Sequence, residues 1–124
     1  MMEDTARIKE YALGAGKLLE DHKGQNTVVL DVSTMCSWTD YFVITTSNSE
    51  AHARGLIRSL EEFLDARELK IYNSWRNQQE SKWILFDCGE FVIHIMDKES
   101  RDFYELERLW FSSENVYQSS SKSS

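Results

Sequence analysis

Two short runs, Thr27–Val32 (TVVLDV) and Tyr41–Thr46 (YFVITT), are β-branched and almost unbroken in apolar character, the pattern of a strand covered on both faces. Such strands need neighbours above and below them, so the chain is expected to fold as a layered sheet. The sequence around them supplies the covering helices. Thr5 can cap a first helix whose apolar positions Ile8, Tyr11, Ala12, Ala15, Leu18 and Leu19 recur at helical spacing and which stops at His22-Lys23-Gly24. Ser47-Asn48-Ser49-Glu50 has capping-box spacing and opens a second, longer helix with the stripe Ala53, Leu56, Ile57, Leu60, Phe63 and Leu64. Its other side carries Arg54, Arg58, Glu61, Glu62 and Asp65, most simply a solvated face.

Beyond the second helix, Lys70–Trp75 reads as a strand, and Trp83–Asp87 and Phe91–Met96 flank Cys88-Gly89-Glu90 as a hairpin in which Gly89 supplies the positive φ. Asp97 or Ser100 can cap a last helix with Phe103, Leu106, Leu109 and Trp110 along one side. The remaining SSENVYQSSSKSS is too polar to bury a core, and order is expected to fade after Phe111. The expected fold is therefore α/β: a single domain over residues 1–111 with a mixed five-stranded sheet flanked by helices in the order α-β-β-α-β-β-β-α, and a disordered Ser-rich tail over 112–124.

Composition limits what this domain does. With 124 residues and 41% apolar side chains there is material for one core and too little for two. Two cysteines are too few for a disulfide scaffold, no apolar run approaches the roughly 20 residues of a membrane span, and the opening MMEDTARIKE lacks the signature of a signal or transit peptide. A cytoplasmic location is expected. A formal net charge of -7, with basic residues interleaved among acids, opposes the phosphate neutralisation on which nucleic-acid binding runs. The partner this charge favours is a basic protein surface.

Catalytic and metal-binding patterns are thin. Gly14-Ala15-Gly16-Lys17 has Tyr11 where a phosphate loop needs its first glycine and Leu18 where it needs Ser or Thr, and it lies within a helical pattern; close helix packing is the better reading of its glycines. No Asp-x-Asp occurs for two-metal chemistry, and Asp97/Glu99 and Glu105/Glu107 read as surface residues. Cys36, Cys88, His22, His52 and His94 show no paired zinc-finger spacing. Cys88 and His94 have the residue types of a nucleophile and its base, yet nothing beside Cys88 would lower its pKa, and a small turn residue is the simpler role. No catalytic residue, metal or cofactor is expected. His94 stands apart because it interrupts an apolar strand, on one face with Val92 and Met96; it is either a half-buried histidine satisfied by a neighbour or part of a contact face.

Three segments go further: LDVSTMCSWTDYFVITTSNSEAH (Leu30–His52), WILFDCGEFVIHIM (Trp83–Met96) and SRDFYELERLW (Ser100–Trp110). Together they resemble the ribosomal silencing factor S family, also called Iojap or YbeB-like. The resemblance is carried by Asp31 and Ser33, Thr39 to Ile44, Ser49 and His52, Trp83, Asp87, Gly89, Glu90 and His94, then Arg101, Tyr104, Leu106, Glu107, Leu109 and Trp110. The chain departs from the family pattern at Thr46-Ser47-Asn48, where a Thr-Gly-Thr-like stretch is usual, and at Trp75–Gln79, where a Glu-Gly pair is usual.

The resemblance implies a binding protein that docks on ribosomal protein L-fourteen of the large (50S) subunit and sterically keeps the small (30S) subunit away, repressing translation. It also implies a fold similar to nucleotidyltransferases but without their catalytic residues. A small nucleotide-dependent transferase is the rival expectation from another class. The hairpin and final helix are the expected contact face, with Trp83, Asp87, His94, Met96, Arg101, Tyr104, Leu106 and Trp110 as its residues. Leu106 and Trp110 also lie on the helix stripe and suit a core equally, and Arg101 suits a structural pair. No direct nucleic-acid readout and no membrane contact are expected, and a homodimer is compatible with exposed aromatics.

Overall fold

In the computed structural model, residues 2–34, 37–76, 83–104 and 114–118 are described. The chain runs α1 (Met2–Asp21), β1 (Gln25–Asp31), β2 (Tyr41–Ser47), α2 (Glu50–Ala66), β3 (Asn73–Arg76), β4 (Trp83–Asp87), β5 (Phe91–Asp97), α3 (Lys98–Tyr104) and β6 (Glu114–Gln118). The strands form one mixed sheet in the order β3-β4-β5-β2-β1-β6. Only β2 and β5 run parallel, joined by a crossover through α2, β3 and β4; the other pairs are antiparallel.

The two runs that set the expectation of a layered fold lie side by side in the sheet. Every residue of β2 is buried, as are six of the seven in β5, because each strand is covered on both faces. Period-two alternation divides β5 between two cores. Phe91, Ile93 and Ile95 join Val29, Val43, Ile84 and Phe86 beneath α1 and α2. Val92 and Met96 join Val28, Leu30, Val32, Phe42 and Ile44 on the opposite face, with Trp83 and Leu85 packed against them.

The helix ends show how short-range chemistry places the layers. Gly24 N donates to the Leu19 carbonyl (2.7 Å) and Lys23 N to that of Glu20 (3.0 Å), a Schellman closure of α1 in which Lys23, at φ 76°, takes the left-handed position expected of the glycine. Gly24 is needed for space: a Cβ there would collide with the Thr45 hydroxyl and approach the Leu19 carbonyl oxygen to 2.8 Å. Gly14 likewise lies against Phe63 of α2, whose ring a Cβ would meet at 3.1 Å, so that glycine serves helix packing.

The N-cap of α2 is Ser49, whose hydroxyl accepts from His52 N at 3.0 Å, two residues beyond the serine expected from capping-box spacing. Ser47 is committed elsewhere, as the buried last residue of β2 paired with Asp97. His52 Nδ1 accepts from Asn48 N (3.0 Å) while Nε2 lies 3.0 Å from the His22 carbonyl, which fixes the proton on Nε2 and ties the end of α1 to the start of α2.

Two differences from the expected architecture stand out. Residues 114–118 form β6, antiparallel to β1, so the sheet has six strands where five were expected, and this part of the supposed tail belongs to it. Val116 and Tyr117 give a local β preference that the serines around them conceal. The third strand starts at Asn73 rather than Lys70 and pairs with β4 from there. Asp97 is the residue that caps α3, accepting from Ser100 N at 2.8 Å. The expected continuation of that helix to Trp110 lies outside the described residues.

Candidate functional site

The hairpin β4–β5 is built around Gly89, which at φ 87° makes the turn that Cys88 and Glu90 flank. Asp87 Oδ1 accepts from Gly89 N (2.9 Å), and Cys88 N donates to the Phe91 carbonyl (2.9 Å). Burial, with the Asp87 carboxylate second, pushes the Cys88 thiol up to about 12, so it stays protonated at neutral pH. Cys88 belongs to the core beneath the helices, whereas His94 points to the other side of the sheet. A Cys-His pair cannot form across it.

On that second face the antiparallel register sets Trp83 opposite Met96 and Leu85 opposite His94. The Trp83 indole Nε1 donates to His94 Nδ1 at 3.1 Å, and the Phe42 ring meets the imidazole edge-on with centroids 4.9 Å apart. An acceptor at Nδ1 places the imidazole proton on Nε2, a buried atom with no partner among the described residues. Burial drives the His94 pKa down to about 4, so the ring is neutral at physiological pH.

The expected contact residues thus fall into separate places. Trp83, His94 and Met96 come together, but His94 and Met96 are buried and only Trp83 is partly open. Asp87 lies at the opposite end of β4, half-buried at the hairpin turn. Arg101 is buried: it donates to Thr46 Oγ1 at 2.9 Å and reaches the Gln25 carbonyl at 3.5 Å, bracing α3 against the ends of β2 and β1. Arg101→Lys is expected to lower stability by about 1–2 kcal/mol, since an ammonium does not reproduce the forked donor geometry, and thermal melting checks it. The Tyr104 side chain, Leu106 and Trp110 lie outside the described residues.

Sequence reasoning passed over two residues that the fold makes prominent. Trp38 and Tyr72 are the exposed large hydrophobics among the described residues, at 60% and 61% of their surface. Both border a cleft of about 400 Å³ whose other lining residues are Asp87, Cys88, Gly89 and Glu90. Pattern reading left Trp38 in the polar link before β2 and placed Tyr72 in the strand expected over Lys70–Trp75, and gave neither a contact role. The signal available was their type: a tryptophan between Ser37 and Thr39, and a tyrosine followed by Asn73 and Ser74.

Among the described residues no group of three or more His, Cys, Asp or Glu is placed to hold a metal ion, and no helix is long and apolar enough to cross a membrane. What the fold defines is a mixed α/β domain whose exposed large hydrophobics among the described residues, Trp38 and Tyr72, border the hairpin turn beside Asp87 and Glu90. The profile of the family described as "Ribosomal silencing factor during starvation" matches residues 5–124, and the chain belongs to that family. It is 31% identical over 103 residues to the ribosomal silencing factor RsfS of Chromobacterium violaceum, covering 83% of this chain and 84% of that one. A crystal structure of a C. violaceum protein, 30% identical, superposes with a TM-score of 0.74 over 86% of this chain and 85% of that chain. The Iojap-related mitochondrial protein of Arabidopsis thaliana is 31% identical over 76% of this chain, which spans 53% of that longer protein. Family membership carries a ribosome-associated silencing role and a place in the regulation of translation.

Proposed function

We propose that this protein docks on ribosomal protein L-fourteen of the large subunit, in the cytoplasm, and blocks association with the small subunit by excluded volume. The observation that carries this reading is the family match across residues 5–124, nearly the whole chain. The physical chemistry supports it: a domain of net charge -7 is steered toward a basic protein surface, and a steric block needs no reacting group.

The contact face we assign is the hairpin together with the segment after it, with Trp83, Asp87, Tyr104, Leu106 and Trp110 in direct contact. Buried His94, Met96 and Arg101 then act from beneath, holding the hairpin and α3 in place. A subunit-joining assay tests the proposal: protein added to large subunits before small ones should lower the yield of joined ribosomes in proportion to occupancy. Tyr104→Ala should weaken docking by about 1–2 kcal/mol, roughly tenfold, with little change in melting temperature. Loss of stability in step with loss of docking would place Tyr104 in the core and remove it from the face.

A further inference from the structure

The cleft at the hairpin turn is assembled by three chain segments, each held in place by backbone hydrogen bonds. Asp40 N donates to the Glu90 carbonyl at 2.9 Å, bringing the link that carries Trp38 against the turn. Tyr72 N donates to the Asp87 carbonyl at 2.8 Å, which sets the tyrosine, just ahead of β3, beside the end of β4. Gly89 completes the fit, because a Cβ there would stand 3.0 Å from the Tyr72 ring. The exposed large hydrophobics of the described chain therefore flank a cleft whose charged lining residues are Asp87 and Glu90. Ring faces with adjacent negative charge attract a cation, planar guanidinium above all. The Tyr72 ring already has the Lys70 ammonium 5.4 Å from its centroid, so a cation can approach it.

We propose that this cleft receives the guanidinium of an arginine presented by a basic protein surface, with Trp38 and Tyr72 supplying ring faces and Asp87 and Glu90 the countercharge. The inference rests on the proposed docking to a ribosomal protein and names the chemistry by which such a partner is gripped.

The test is a titration of the isotope-labelled full chain with a capped Gly-Arg-Gly-Arg-Gly peptide, against the same peptide carrying neutral citrulline or carrying lysine. The Trp38 indole N–H, identified by its loss in Trp38→Phe, and the Gly89 amide should shift saturably with the arginine peptide alone. Glu90→Gln, at an exposed position, should weaken that binding by about fivefold while the melting temperature holds. Shifts spread evenly over the surface, equal binding of the lysine or citrulline peptide, or no effect of Glu90→Gln would overturn the assignment. Cosedimentation of wild type and Trp38→Ala with large subunits separates the two readings. Wild type and variant sedimenting alike would reject the cleft and keep subunit docking; peptide binding with no sedimentation of wild type would keep the cleft and reject subunit docking.

Discussion

Phe91→Ala is expected to remove about 3–5 kcal/mol of folding stability and to lower the melting temperature by roughly 10–20 °C. Phe91 is only 2% exposed and opens β5, a strand flanked by β4 on one side and β2 on the other. Its ring lies in the core beneath α1 and α2, and its carbonyl accepts from Cys88 N to close the hairpin. The substitution thus leaves a cavity where the sheet, the helical layer and the turn meet. Domains of this size are stable by only about 5–15 kcal/mol, so a loss on that scale would leave a measurable unfolded fraction. Urea titration should show the midpoint falling at unchanged slope. A loss below about 1 kcal/mol would mean that the hairpin end does not share in the cooperative core.

Acid is expected to weaken the wild-type fold well before most carboxylates titrate, and His94 is the cause. Burial holds its native pKa at about 4, below the 6.5 of a free imidazole. Between those values the unfolded chain binds a proton that the native chain refuses, so the contribution is complete above pH 6.5 and is lost as the pH falls toward 4. A shift of that size corresponds to about 3 kcal/mol. His94→Gln isolates the effect, since its side-chain oxygen can still accept from the Trp83 indole while nothing titrates. The variant should be less pH-dependent than wild type between pH 6.5 and 5. Parallel loss in both proteins would assign the acid sensitivity to other groups.

The parts of the fold that were legible in the sequence are those where local pattern and tertiary environment agree. Continuous β-branched runs implied strands covered on both faces, and β1, buried from Thr27 to Leu30, and β2, buried throughout, are such strands. The stripe from Ala53 to Leu64 is the buried side of α2, and Gly89 makes the turn that its position suggested. Errors arose where long-range pairing decided the outcome. Ser47 was spent on the sheet, so capping passed to Ser49; Asn115 and Tyr117 gained partners in β1 that no reading of a Ser-rich tail could supply.

The candidate site was harder to read for the same reason. Sequence spacing put His94 on the face of Val92 and Met96, where it lies, but a polar residue in an apolar run is ambiguous between contact and satisfied burial. The Trp83 indole resolves the ambiguity toward burial, and only the hairpin register brings the two together. Trp38 and Tyr72 are 34 positions apart and converge through backbone bonds to the hairpin, which no periodicity encodes.

The most direct measurement is cosedimentation of the purified chain with separated large and small ribosomal subunits. Saturable binding to the large subunit, none to the small one, and release of the bound protein by an excess of free L-fourteen are expected. Binding to neither subunit, or equal binding to both, would contradict the proposed docking.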